Sequence, residues 1–105
     1  MTKEVVEGIL DEVGIGYAYH HFEPEEAIAP PFICWLVPGC DNFAADGKVF
    51  FSADEVHIEL YTDRKDFELE QRVEEVLNKR EIYWGKSEEY IESEDLYEVR
   101  YELMV

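Results

Sequence analysis

A chain of 105 residues is of a size for one domain, in which folding hides roughly two-thirds of the surface that the unfolded chain exposes. Its apolar fraction of 47% and aromatic fraction of 14% can fill an interior, so the high charge does not spell disorder. Twenty-six Asp and Glu against nine Lys and Arg leave a net charge of -17, which argues against direct wrapping of DNA or RNA and favours a basic partner surface.

Residues 2 to 13 carry Val5, Val6, Ile9, Leu10 and Val13 at helical spacing, with Thr2 as N-cap and Gly14 as the stop. This predicts an amphipathic helix of about three turns. Residues 15 to 31 mix aromatics, histidines and acids before Pro30-Pro31, and predict an irregular connection with room for a short strand within Gly16 to Phe22. The apolar run Phe32 to Val37 predicts a central strand that Pro38-Gly39 terminates. From Lys48 to Thr62, Val56, Ile58 and Leu60 alternate with Glu55, His57 and Glu59, which predicts a long strand with a bulge or bend at Ala53-Asp54. Asp46-Gly47 before it is a hairpin-turn signal.

Leu69, Val73, Val76 and Leu77 restore the helical period over Asp66 to Lys79, with acids at the start and Lys79-Arg80 at the end, as a helix dipole favours. Two strands follow, Ile82 to Ile91 and Leu96 to Val105, turning at Ser93-Glu94-Asp95. The expected architecture is a single α+β domain over 1-105: a four- or five-stranded, mainly antiparallel sheet with two helices packed on one face.

The N-terminal residues lack the basic and apolar blocks of a signal peptide, and no apolar run has the ~18 to 20 residues that span a bilayer. A reducing, cytosolic setting is expected, with Cys34 and Cys40 as free thiols and no membrane. Cys34 and Cys40, six apart, lack the bite of a zinc site, and Cys34 sits in an apolar strand, so neither they nor His20, His21 and His57 are assigned to a metal. The sequence holds no Gly-x-Ser-x-Gly elbow, phosphate loop or dinucleotide-binding turn, and its carboxylates are too many for any pair to stand out. We assign no catalytic residue and no cofactor.

Asp41 to Lys48 reads as a polar and aromatic loop between strands, and loops held by a rigid sheet often carry contacts. Asp41, Asn42, Phe43, Asp46 and Lys48 are the candidate subunit interface, together with the outer edge of the sheet. The cluster Tyr17, Tyr19, His20, His21 and Phe22 serves either an interface or one end of the core.

Five segments taken in order, Tyr17 to Phe22, Pro30-Pro31-Phe32-Ile33, Asp41 to Gly47, Ile58 to Asp63 and Leu96 to Val99, give the chain a resemblance to a known family. It resembles the tail terminator, or tail completion, proteins from the head-tail gene block of long-tailed phages and prophages of Gram-positive bacteria. The resemblance implies a virion structural protein, assembled in the host cytoplasm, without catalytic residues. It implies a homo-oligomeric ring, usually a hexamer, that caps the tail tube, meets the head connector proteins and lets DNA pass without specific binding.

A domain of this length has an expected radius of gyration near ~13 Å, and six spheres of that kind in a circle leave a hole of about 34 Å, enough for a duplex. Carboxylates lining the hole would repel phosphates, or the acidity serves solubility alone. The rival reading is an acidic DNA mimic that inhibits a DNA-binding enzyme. Salt-sensitive inhibition would mark it.

Overall fold

The apolar stripe Val6, Ile9, Leu10 and Val13 winds into α1 (Thr2–Val13) and leaves solvent almost completely. Gly14, at φ 85°, ends the helix in a conformation that suits glycine, and its N–H returns to the carbonyl of Leu10 (3.0 Å). The computed structural model describes residues 2–45 and 48–105, with 42–45 and 48–51 described as backbone only. Thr2 is not a cap that accepts a helix N–H. Its hydroxyl donates to the Asp54 carboxylate at 2.6 Å, a charged and therefore stronger acceptor.

Five strands form one sheet in the order β1-β2-β3-β5-β4: β1 (Tyr17–Tyr19), β2 (Phe32–Ala45), β3 (Lys48–Thr62), β4 (Trp84–Ile91) and β5 (Leu96–Met104). Only β1 and β2 pair in parallel; the other three neighbours are antiparallel. The mixed, mainly antiparallel α+β fold is thus as the sequence predicts, with β3 rather than β2 at the centre.

Helix α2 (Phe67–Lys79) starts where expected: Asp66 accepts the Leu69 N–H at 3.0 Å and caps it. It ends with the Ile82 N–H bonded to the Leu77 carbonyl (3.0 Å), which commits Ile82 to the helix terminus and delays β4 to Trp84.

Alternation then decides the layers. Ile33 and Trp35 of β2, Val56, Ile58 and Leu60 of β3, and Val99, Tyr101 and Leu103 of β5 face one way and meet the apolar stripes of α1 and α2 in one core. Across the top of that layer Glu12 of α1 accepts from Lys79 (2.6 Å) and Arg80 (3.1 and 2.5 Å) beyond α2, and these bonds hold its carboxyl below the usual range. Gly8 gives Arg80 room: an added Cβ would sit 3.3 Å from the guanidinium.

Two sequence-based expectations about β2 and β3 fail together. Pro38-Gly39 does not terminate β2; Val37 and Pro38 jointly oppose Val56, between the pairs Leu36–His57 and Gly39–Glu55. A bulge of this kind tolerates a residue that has no N–H to give. Nor is β3 interrupted at Ala53-Asp54, which pair regularly with Asp41 and Cys40; its extra residue is Phe50, between the pairs Phe43–Phe51 and Ala44–Val49. As a result Asp41 to Ala45 is strand rather than loop. Asp46 and Gly47, and with them the predicted turn, lie outside the described residues.

Candidate functional site

Beyond the bulge at Val37-Pro38, β2 and β3 outlast their neighbours and form an arm. Strand β5 accompanies β3 only as far as Glu55, opposite Met104, and Asp54 exchanges both backbone hydrogen bonds with Val105 (2.8 and 2.9 Å). Strand β1 accompanies β2 only from Ile33 to Trp35. From Asp41–Ala53 outward, down to Ala45–Lys48, β2 and β3 pair among the described residues with each other alone. Five residues of strand make a ribbon of about 17 Å. The arm explains a long axis of 50 Å and a radius of gyration of 15.0 Å where a domain of this length would have about 13 Å.

Such a two-stranded ribbon is marginal in water without a third strand or a covering surface. Its register sets Phe43 opposite Phe51 and Ala44 opposite Val49, with Phe50 between. Of the predicted interface residues, Asn42, Phe43 and Lys48 thus belong to the arm, Asp41 to its base, and Asp46 lies outside the described residues.

The bulge also resets the alternation, so that Asp41 shares the helix-free face of the sheet with Glu55. There a depression of about 390 Å³ is lined by Asp41, Glu55, Tyr83, Gly85, Glu102, Leu103 and Met104. Beside it His57 lies 3.1 Å from Glu55 and 4.0 Å from Glu102. Gly85 contributes no side chain, while Tyr83 is 91% exposed at the rim. Three carboxylates around an apolar floor suit a cationic side chain with an aliphatic stem. Alternation places Glu55 and Glu102 on one face of their own strands; the sequence does not announce that β3 and β5 are neighbours, so this basin is invisible before the fold.

At the other end of the same face lie Phe32, Cys34, Glu59, Tyr61, Glu98 and Arg100. Arg100 bonds both Glu59 (3.2 Å) and Glu98 (3.3 Å), and Tyr61 donates to Glu59 at 3.2 Å. Burial, then the nearby Glu59 and Glu98 carboxylates, pushes the Cys34 thiol up to about 11, so it is a protonated, unreactive thiol at neutral pH. Cys40 is exposed and the two thiols are free.

Burial and then the Glu59 charge raise the Glu98 carboxyl above its ordinary value, against the pull of Arg100. A raised acid weakens the fold once pH exceeds its unfolded pKa, and the penalty is relieved as pH falls through the folded pKa. Glu98→Gln is accordingly expected to raise the melting temperature at pH 7.5, with the gain shrinking on acidification into the upper carboxylate range. A gain that grows on acidification would refute the assignment.

The members of the aromatic cluster occupy different places. Tyr17 packs against the core and donates to Asp11 (2.9 Å), and Tyr19 stands edge-on to Trp35 with ring centroids 4.7 Å apart. Phe22 meets Phe32 at 5.3 Å, so it covers the helix-free face. His20 and His21 are exposed and touch through ring nitrogens at 3.0 Å. Among the described residues, no three His, Cys, Asp or Glu side chains form a metal-ligand set.

No protein-family model matches the chain, and no curated protein matches it. Function must therefore be read from the arm, the acidic basin and the open edges.

Proposed function

We propose that this chain is a structural assembly protein of a long-tailed phage, of the tail terminator or head-tail completion type. In this reading six copies close a ring at the head-proximal end of the tail tube, and the arm of one copy seats on the next. The observation that carries this reading is the ribbon beyond Asp54, which pairs with no third strand among the described residues and is rich in Phe, Val and Ala. An element of that kind gains most when a second surface covers it.

The acidic basin supplies a receptor. Lys48 ends the described part of the arm, and Asp41, Glu55 and Glu102 surround the depression at the arm's base. An arm laid from one copy into the basin of its neighbour is a heterologous contact, which generates a closed ring when the rotation closes. The order of the five resembling segments supports the phage assignment, and the -17 charge suits a channel through which DNA slides.

Apart from the arm the protein measures close to 30 Å across, and six such bodies in contact leave a hole of about 30 Å by plane geometry, sufficient for a duplex. Negative-stain microscopy with mass measurement of the purified protein is expected to show six-fold rings of the 12.4 kDa chain, free or on the ends of tail tubes. Monomers or dimers alone, at high concentration and with tubes present, would overturn the proposal.

A further inference from the structure

We propose that two copies of this chain also join through β4, edge to edge, in a single antiparallel register centred on Ser87. This contact does not rest on the ring reading. It uses the opposite side of the sheet from the β2–β3 arm.

Strand β4 is the last in the sheet order, with β5 on one side and, among the described residues, no strand on the other. Every residue from Gly85 to Tyr90 is exposed, so neither helix overhangs this edge. About half of the backbone donors and acceptors of this eight-residue strand point away from β5 and are open to a further strand. A twofold axis perpendicular to the sheet pairs two identical edges antiparallel and keeps the helices of both copies on one side. It also requires facing residues to belong to the same face of the sheet.

The faces follow from the pairing with β5. Trp84, Lys86, Glu88 and Tyr90 lie opposite Leu103, Tyr101, Val99 and Tyr97, on the helix side, while Gly85, Ser87, Glu89 and Ile91 lie on the open side. Two registers then use seven of the eight residues of β4. One, centred on Glu88, sets that carboxylate against itself, a like-charge pair that destabilises a sheet. The other, centred on Ser87, sets Lys86 against Glu88 of the second copy, and Trp84 against Tyr90 of the second copy, each twice. Unlike charges and aromatic pairs are the cross-strand combinations that stabilise.

The charged residues of this edge therefore repel random strands and accept one arrangement. Within the monomer Lys86 bonds Glu74 (2.7 Å) and pairs with Glu70 (2.8 Å), and Glu88 pairs with Lys65. Their side chains remain 34% and 43% exposed, which leaves each a free side for the second copy.

Cysteine cross-linking reads the register directly. In a Cys40→Ser background, with Cys34 buried, Ser87→Cys brings the two introduced Cα atoms to about 4.5–5.5 Å across the axis. A disulfide spans such a distance. Glu89→Cys faces Gly85 of the second copy, and its own counterpart lies four residues further along, about 13 Å away. Both sites are exposed, so the fold is not at stake.

On mild oxidation the Ser87→Cys protein is expected to run as a covalent dimer in non-reducing gels, at least ten-fold more than Glu89→Cys, and sedimentation of the unmodified protein is expected to show the same dimer without oxidant. Equal cross-linking of both variants, or cross-linking of neither, overturns the proposal; so does preferential cross-linking of Glu88→Cys, which marks the other register. The presence or absence of six-fold rings does not affect this result.

Discussion

Glu70→Ala is expected to lower the stability of the folded protein by about 2–3 kcal/mol, near the lower end of what removing one partner of a buried ion pair costs. Glu70 lies on α2 with only 3% of its surface exposed, and its carboxylate is shared by Lys65 (2.5 Å) and Lys86 (2.8 Å). Lys86 also reaches Glu74 at 2.7 Å, and Glu74 in turn accepts from the buried Tyr101 hydroxyl at 2.7 Å. The Glu70 carboxylate thus ties the α2 helix to β4 and to the segment before the helix, and Glu74 beside it adds the tie to β5.

The loss is held near the lower limit because Lys65 and Lys86 are 24% and 34% exposed and can turn to water once their partner is gone. Burial alone would raise the Glu70 carboxyl, but its bonds to Lys65 and Lys86 outweigh burial and hold it below the ordinary value. Its contribution is therefore present above the unfolded pKa and is lost as pH falls through the depressed folded pKa. Urea unfolding at pH 7 is the check, and the gap between wild type and variant is expected to narrow on acidification. Equal midpoints at pH 7 would remove Glu70 from the account.

Much of the fold was legible because local signals and tertiary structure agree. The stripes Val5-Val6-Ile9-Leu10-Val13 and Leu69-Val73-Val76-Leu77 describe the helix faces that are buried except at Val5, which lies at the exposed border of its stripe, and Asp66 and Gly14 mark ends that the structure uses. Pro38-Gly39 misled for a physical reason. The pair usually ends a strand, but in β2 a bulge absorbs the proline and the strand continues for seven more residues, Gly39 to Ala45.

The candidate site was legible only in part. Asp41 to Lys48 was singled out as a contact element, yet as a loop rather than a projecting ribbon, because nothing local shows that the third strand stops at Val105. The basin of Asp41, Glu55 and Glu102 depends on β5 lying beside β3 and on the phase change at the bulge. Both are long-range facts. The matched charges on β4 could be read in the sequence, but their meaning required knowing that β4 is an edge.

The arm carries the second large effect. Replacing both Phe43 and Phe51 by serine removes an apolar pair that the register places opposite each other on a ribbon with no third strand. Each buried Phe contributes about 1.5–3 kcal/mol, so an interface that relies on the pair is expected to weaken by more than a hundred-fold per subunit contact. The core lies on the far side of Asp54, and its melting temperature is expected to change little.

The most direct measurement of whether this protein works through its arm is the mass distribution of wild type beside that of the Phe43→Ser, Phe51→Ser double variant, with circular dichroism of both. The account predicts that wild type assembles into six-copy rings, alone or joined through β4, while the variant stays folded and stops at monomers or β4-joined dimers. A folded variant that still closes rings, or a wild type that never does, would contradict it.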